Sequence, residues 1–158
     1  MGVDSRRSEI RNYSEFEFVE LTRAIIGCAF TVHGKLGRGF LEKVYANSLA
    51  IELEESGFRA TREAPVDVLY RNRVVGAYYA DILVNDLVIV EIKAAQRLAP
   101  EHEAQLINYL KATSHSVGLL LNFGTPSLQV KRLAFGRSEQ NLRNLRESAA
   151  SSGSGGAT

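Results

Sequence analysis

The feature that most constrains the fold is a pair of short apolar runs joined by a turn within residues 81–93. Side chains alternate between the two faces of a strand, so the even-numbered apolar residues of both runs should face one core. These residues are Ile82, Val84, Val88, Val90 and Ile92. The pattern predicts two antiparallel strands in which Val84 pairs with Val88 across a loop at residues 85–87. The Asn and Asp in that loop tolerate the left-handed backbone conformation that it needs.

This register sets Asp81 opposite Glu91. A turn of only two residues, 85–86, is the alternative, but it would place the two carboxylates on opposite faces and set apolar residues across from polar ones. Like charges facing each other across a sheet are unfavourable without a positive charge nearby. Lys93, on the same face as Glu91, and a bound cation are both candidates for that charge. On a solvated polar face Lys93 would merely pair with Glu91, but the apolar run around Glu91 indicates an interior strand, where a carboxylate generally has a partner.

Length and composition are those of one globular domain. A chain of 158 residues, 45% of them hydrophobic, can bury a sizeable core. We expect residues 15–136 to form the domain, and residues 1–14 and 137–158 to be flexible segments. The net charge of +1 and the pI near 7.9 lie below the pI of about 9 that is typical of strongly basic nucleic-acid binders. A local basic patch stays open, because arginine recurs at Arg59, Arg62, Arg71, Arg73 and Arg97.

Cysteine usage and hydropathy bear on the cellular compartment. The single cysteine, Cys28, cannot form an internal disulfide, and the first residues are polar and charged. The sequence shows neither a secretory signal nor an apolar run of the roughly 20 residues that a membrane helix needs. We therefore expect a cytoplasmic protein with no membrane partner.

Hydrophobic periodicity predicts the element order ααβββαββ. Apolar residues three and four apart indicate a first helix and then a second over residues 40–56, with Leu41 and Val44 among its inward-facing residues. The period then changes to two for three strands, Pro100 opens a third helix, and two apolar strands follow it. This order predicts a mixed α/β (α+β) fold, with a central sheet of about five strands flanked by helices.

Four motifs occur along these elements. Residues 39–45 read GFLEKVY and match the signature GxxExxY. With Asp81, the Glu-Ile-Lys tripeptide at residues 91–93 and the run QLINY at residues 105–109, the chain resembles the GxxExxY group of the PD-(D/E)XK nuclease superfamily. The resemblance implies a restriction-endonuclease-like core and a metal-dependent nuclease that hydrolyses DNA phosphodiester bonds. Ala80 stands where the superfamily name implies a proline.

The resemblance also implies residue roles. Asp81 and Glu91, with the backbone carbonyl of Ile92, would hold Mg²⁺ or Mn²⁺, since Mg²⁺ takes oxygen ligands and retains several waters. Lys93 would orient the attacking water and offset the charge that develops in the transition state. Glu42 would be a further acidic ligand or an outer base.

Four more residues have supporting roles in this prediction, each with an ordinary alternative. Gln105 and Tyr109 share a helix face, as in the QxxxY element of exonuclease-like members, and would bind substrate or support the site; a polar helix edge is the alternative. Tyr45 shares a helix face with Glu42, but it could equally be a core aromatic residue. His33 could approach Glu42, or it could have a structural position near its helix end.

The sequence leaves two functions open. A Mg-dependent deoxyribonuclease would act on nucleic acid, with DNA as the expected substrate and RNA as the alternative. A catalytically silent nucleic-acid-binding or protein-interaction module would keep the fold without the chemistry. The complete set of acidic residues together with Lys93 favours the enzyme. The sequence is compatible with endonucleolytic and with exonucleolytic cleavage, and with a homodimer.

Overall fold

The computed structural model describes residues 15–136. The flexibility predicted for residues 1–14 and 137–158 lies outside the described residues. The helices are α1 (Glu15–Leu36), α2 (Glu42–Glu55) and α3 (Pro100–Ala112), and the strands are β1 (Ala60–Tyr70), β2 (Arg73–Val84), β3 (Val88–Lys93), β4 (Val117–Asn122) and β5 (Gln129–Ala134). The predicted element order is confirmed. Within residues 15–136 none of the helices combines the length and the hydropathy that a membrane span requires.

The strands form one mixed sheet in the order β1-β2-β3-β4-β5. β3 and β4 are parallel, and the other neighbouring strands are antiparallel. A parallel pair needs a crossover connection, which α3 supplies between β3 and β4. Side chains of α1 and α2 share one core cluster with the sheet, and side chains of α3 share a second cluster with it. The predicted mixed α/β fold, with helices flanking a sheet of five strands, is therefore confirmed.

The predicted register of β2 and β3 is also confirmed. Val84 pairs with Val88, and the loop between them has positive φ angles at Asn85 (52°) and Asp86 (55°). All of the even-numbered apolar residues predicted to share a face lie in the core cluster with α1 and α2. Burial of one strand face is thus enough to select this register over the two-residue turn.

Helix α2 begins later than predicted. The backbone at Leu41 is extended (φ −71°, ψ 154°), and the helix starts at Glu42 rather than at Phe40. Leu41 is 80% exposed and Val44 is 38% exposed, so the inward orientation predicted for both side chains is wrong. Tyr45 takes the core position, and because successive helical side chains point about 100° apart, Val44 is turned away from the sheet.

Half of the β1–β2 hairpin extends past the rest of the sheet. β3 pairs with β2 only at residues 82–84, whereas β1 pairs with β2 along nearly its whole length. The outer part, residues 65–79, is called the hairpin arm below. Arg59 precedes β1 at the inner end, while Arg71 and Arg73 lie at the tip of the arm. At about 3.3 Å per residue these ends are roughly 40 Å apart, so the arginines do not form one basic patch.

Candidate active site

The acidic pair, Asp81 on β2 and Glu91 on β3, lies where these two strands separate. The regular pairing of β2 with β3 ends at Ile82. Beyond it, the Asp81 N–H donates to Glu91 Oε1 (3.0 Å), and the Ile92 N–H donates to Asp81 Oδ2 (2.7 Å). Each carboxylate therefore accepts a hydrogen bond from the backbone of the opposite strand. The two side chains are neighbours, as the predicted register requires.

A break in the alternation of β2 aims Asp81 at this place. Ala80 packs in the cluster with α3, and Ile82 packs in the cluster with α1 and α2, although regular alternation would put both on one face. The opposite residue on β1, Glu63, has a φ of 50° and is missing from the regular pairing. Local irregularities of this kind redirect side chains, and they are over-represented beside active sites.

Glu91 is a buried carboxyl group with only 4% of its surface exposed. Burial, followed by the charge of Asp81, raises the pKa of Glu91 to about 8. The hydrogen bond from the Asp81 backbone and the Lys93 ammonium oppose that rise without offsetting it. A second positive charge beside the pair would stabilise both carboxylates in their ionised form, and their oxygens are ligands that Mg²⁺ prefers. The donor set therefore fits a divalent cation.

The side-chain ligands for such a cation are few. Among residues 15–136, no group of three or more His, Cys, Asp or Glu side chains is placed to hold a metal ion. Asp81 and Glu91 would need the Ile92 carbonyl and several waters or phosphate oxygens to complete a shell, which is the incomplete shell that Mg²⁺ commonly accepts.

A chain of hydrogen bonds connects Lys93 to α3. The Lys93 ammonium donates to Gln105 Oε1 (3.0 Å), and Gln105 Nε2 donates to the Tyr109 hydroxyl (3.2 Å). The Tyr109 ring lies 6.0 Å from the Tyr78 ring, measured between centroids. Burial, followed by the charge of Glu91, raises the pKa of Tyr109, so its phenol stays neutral. The helix face predicted from the QxxxY spacing therefore adjoins Lys93.

A cavity of about 500 Å³ opens beside Asp81. It is lined by Phe40, Leu41, Glu42, Lys43, Ala46, Arg62, Glu63, Asp81 and Ala94. Glu42, exposed at the start of α2, thus shares a cavity wall with Asp81. A ligand role for Glu42 stays a prediction, because the cavity wall that it shares includes Asp81 but not Glu91, and no three-residue cluster forms among the described residues.

Tyr45 and His33 lie behind the site. Tyr45 is fully buried, its hydroxyl donates to the Gly37 carbonyl (2.7 Å), and its ring stacks on Phe123 with centroids 4.6 Å apart. His33 Nε2 lies 2.9 Å from the Thr125 carbonyl oxygen. Both residues have the structural position that the sequence left as the alternative, and any influence on the chemistry would pass through packing.

Arg62 is a site residue whose position the sequence did not reveal. Its guanidinium donates to the Asp81 carbonyl (2.7 Å) and to Asn47 Oδ1 on α2 (3.1 Å), which ties α2 to β2 at the acidic pair. The sequence placed Arg62 only in a general basic patch. The backbone is irregular at the next residue, Glu63, and no local sequence signal predicts a positive φ at a glutamate.

Asn122, at the end of β4, was also missed. It is fully buried, its Oδ1 accepts from the N–H groups of Ala95 and Gly124 (both 3.0 Å), and its Nδ2 donates to the Ala95 carbonyl (3.0 Å) and to Gln129 Oε1 (2.9 Å). It thereby fixes the chain two residues beyond Lys93. The sequence did contain a signal for this role, namely a single amide residue at the end of an otherwise apolar strand, because a buried amide needs hydrogen-bond partners.

Comparison with known proteins gives a family match for most of the chain. The model of the PD-(D/E)XK nuclease superfamily matches residues 19–133. Among curated proteins, no match was found. Two similar solved structures are an alkaline exonuclease (LHK-Exo) from Laribacter hongkongensis and SSO0001. The first has 14% identity and a TM-score of 0.45, covering 80% of this chain and 75% of that chain. The second has 18% identity and a TM-score of 0.45, covering 84% of this chain and 66% of that chain.

Proposed function

Because this chain belongs to the PD-(D/E)XK nuclease superfamily, whose members generally use divalent metal ions, we propose that it is a metal-dependent DNA nuclease of the GxxExxY group. The observation that carries the proposal is the acidic pair. The Asp81 and Glu91 carboxylates each accept a hydrogen bond from the backbone of the opposite strand, next to Lys93. Because Glu91 is buried, two adjacent negative charges are unfavourable there without a cation. The lone cysteine, Cys28, fits a reducing cytoplasm.

The acidic pair and its neighbours would hold the metal. Asp81, Glu91 and the Ile92 carbonyl supply oxygen ligands for Mg²⁺ or Mn²⁺. Glu42, on the cavity wall, would contribute a further acidic ligand or act as an outer base. When bound, the cation supplies Lewis acidity to the scissile phosphate and to a water molecule.

Lys93 would act directly on the reacting groups. Its ammonium would orient the attacking water and offset the negative charge that grows on the phosphate during hydrolysis. Gln105 holds the ammonium by one hydrogen bond, and Tyr109 holds the amide of Gln105, so the lysine is already positioned before substrate arrives. From behind, the Phe123 N–H donates to the Lys93 carbonyl (2.8 Å), and Tyr45 stacks on the Phe123 ring.

Cleavage assays with matched variants test the proposal. The purified protein is incubated with linear, single-stranded, supercoiled and branched DNA and with RNA, in Mg²⁺, in Mn²⁺ and in chelator. We expect metal-dependent DNA cleavage that falls at least about a hundredfold in Asp81→Asn, Glu91→Gln and Lys93→Ala, since each removes charge stabilisation at the reacting centre. Asp67→Asn, an exposed carboxylate on the hairpin arm, is the control and keeps wild-type cleavage. Cleavage that persists in Asp81→Asn contradicts the proposed site.

One observation favours a second candidate, a catalytically silent nucleic-acid-binding or protein-interaction module. Among residues 15–136 the acidic pair gains no third metal-binding side chain. Calorimetric titration with Mn²⁺ distinguishes the two functions. The nuclease binds Mn²⁺ and loses that binding in Asp81→Asn, whereas the module shows no metal binding and no cleavage.

A further inference from the structure

We propose that the hairpin arm is a β-ribbon that binds the backbone of duplex nucleic acid flanking the cleaved phosphate, with Arg71 and Arg73 at its tip as the phosphate contacts. The inference rests on the proposed nuclease function and deepens it, because it identifies a surface for the part of the substrate that lies outside the active site. A two-stranded ribbon of this kind is narrow enough to enter the major groove of DNA.

The arm exposes large side chains on both of its faces. Six of them are between 50% and 65% exposed, namely Leu69, Tyr70, Val74, Val75, Tyr78 and Tyr79. Strand pairing puts Tyr70 and Tyr78 on the face toward α3, and Leu69 and Tyr79 on the other face. A second folded protein would cover one face and leave the other in water, whereas a nucleic-acid groove contacts both sides of a ribbon.

The tip of the arm carries unpaired positive charge. Residues 68–80 include no acidic residue. Among residues 15–136 no carboxylate forms an ion pair with Arg71 or Arg73, whereas Arg59 at the inner end of the hairpin is paired with Asp86. The Arg71 guanidinium lies over the Tyr70 ring, 5.7 Å from its centroid. Two uncompensated guanidinium groups, one of them beside an aromatic ring, complement a phosphate backbone.

The first residue of the turn at the tip is not one that suits it best. Tyr70 pairs with Arg73, so Arg71 and Asn72 form a two-residue turn with φ angles of 49° and 62°. Such turns favour Asn, Asp or Gly at both positions, because positive φ crowds a larger side chain. An arginine at the first position therefore carries backbone strain that asparagine would avoid, which points to a use for its charge.

The arm forms a continuous surface with the active site. Tyr78, on the arm, packs its ring over Gly76 and against Tyr109, which is hydrogen-bonded into the Lys93 chain. Arg73 lies eight residues from Asp81 along β2, roughly 26 Å at about 3.3 Å per residue. Since B-DNA rises about 3.4 Å per base pair, the tip can reach phosphates up to about eight base pairs from the cleaved bond.

The arm is tested by measuring the binding of a labelled DNA duplex of about 30 base pairs. Binding is measured by fluorescence anisotropy over a series of salt concentrations, in EDTA so that the duplex is not cleaved. The test variant is Arg71→Asn with Arg73→Gln in the full chain. The matched control, Arg23→Gln with Arg132→Gln, removes the same two charges from α1 and from β5 at the opposite edge of the sheet. We expect the test variant to bind about tenfold or more weakly near 0.1 M salt, with a salt slope smaller by about 1.8, and the control to stay within about twofold of wild type.

Further measurements check that the variants are folded and that the arm binds nucleic acid rather than a second copy of the chain. Asparagine relieves the strain at position 71, so the melting temperature of the test variant should equal or exceed that of the wild type, and lost binding is then not lost folding. Equal weakening in the control overturns the arm proposal. A second outcome also overturns it. In that outcome, sedimentation shows that the wild type is a dimer, and Leu69→Ser with Val75→Ser converts it to a monomer without changing the affinity for duplex.

The same measurements separate this inference from the nuclease proposal. If the wild type cleaves DNA and the test variant binds duplex as tightly as the wild type, the arm proposal fails alone. If the wild type neither binds nor cleaves nucleic acid under any metal condition, both proposals fail. Duplex binding by Asp81→Asn that is lost on adding the arm substitutions supports the arm directly.

Discussion

The two ends of strand β2 differ sharply in how far their side chains are buried. Val84, at the inner end, is fully buried, whereas Val75, on the hairpin arm, is 63% exposed. The residue type is the same, and so is the strand. The inner end has a strand on each side and helices over it, whereas β1 is the one described strand that pairs with β2 at the outer part of the arm. Burial along β2 therefore depends on both the neighbouring strands and the covering helices, and regular pairing with β3 ends next to Asp81.

This boundary separates two electrostatic environments. On the inner side, the acidic pair, of which Glu91 is buried, is short of positive charge. On the outer side, the arm tip has two arginines without carboxylate partners among the described residues. Strand β2 contributes to both environments because its pairing with β3 ends at Ile82 of β2. The end of this pairing leaves room for the acidic pair and leaves the hairpin arm without β3 beside it.

The largest difference between the two regions should come from adding a methyl group. A Cβ at Gly124 would meet the backbone of Ala95 and Ala94 at 2.3 to 2.7 Å, and backbone cannot rotate away. A Cβ at Gly76 would meet only the Tyr78 ring, at 2.9 Å, which can turn toward solvent. We expect Gly124→Ala to lower the free energy of unfolding by about 3 kcal/mol and Gly76→Ala by less than about 1 kcal/mol. Urea denaturation measures both, and equal losses would show that the arm is as tightly packed as the site.

Much of the fold could be predicted because its strongest signals are local. The alternation within residues 81–93 and the Asn-Asp loop were sufficient for the register, which set Asp81 beside Glu91. Helix starts were less predictable. Leu41 reads as an inward-facing helical residue, but its backbone is extended, because the loop after Gly37 is held by the Tyr45 hydroxyl.

The parts of the site that the sequence did not show depend on long-range contacts. The Lys93 ammonium meets Gln105 only once α3 has packed on the sheet, and the spacing of Gln105 and Tyr109 alone does not place that helix. Arg62 reaches the Asp81 carbonyl on the neighbouring strand, next to the irregular backbone at Glu63. The exposure of the arm was hidden for the same reason, since its apolar residues read like any strand.

Two valines, one at each end of β2, allow the same comparison, with a smaller expected effect than the glycine substitutions. Val84→Ala and Val75→Ala remove the same atoms from the same strand and lose the same intrinsic strand preference. We expect about 2 kcal/mol lost from the free energy of unfolding for Val84→Ala, because it leaves a cavity in the core, and within about 0.5 kcal/mol of wild type for Val75→Ala. Denaturant midpoints with unchanged slopes would check both. A large loss for Val75→Ala would mean that the arm is covered, for example by a second copy.

The smallest expected effect is the change in the free energy of unfolding with each pH unit that comes from the Glu91 carboxyl group. Burial raises the pKa of Glu91 from 4.5 to about 8, so between these values the folded state binds more protons than the unfolded state. Stability from this group is fully present below pH 4.5 and is lost as pH rises through about 8. In chelator, the wild-type free energy of unfolding should fall by at most about 1.4 kcal/mol per pH unit from this source.

Two substitutions isolate that contribution in chelator. Glu91→Gln cannot ionise and should have a flatter stability profile between pH 5 and about 8, while Asp67→Asn, which changes an exposed carboxylate on the arm, should keep the wild-type slope. The residues that are the same in all three proteins contribute equally, so their contribution cancels in the comparison. Adding Mn²⁺ should stabilise the wild type more at high pH than at low pH, because the cation competes with the Glu91 proton. Parallel profiles for the wild type and Glu91→Gln would mean that this carboxyl is not held in a buried, charge-crowded site, and the contrast between the two ends of β2 would then be one of packing alone.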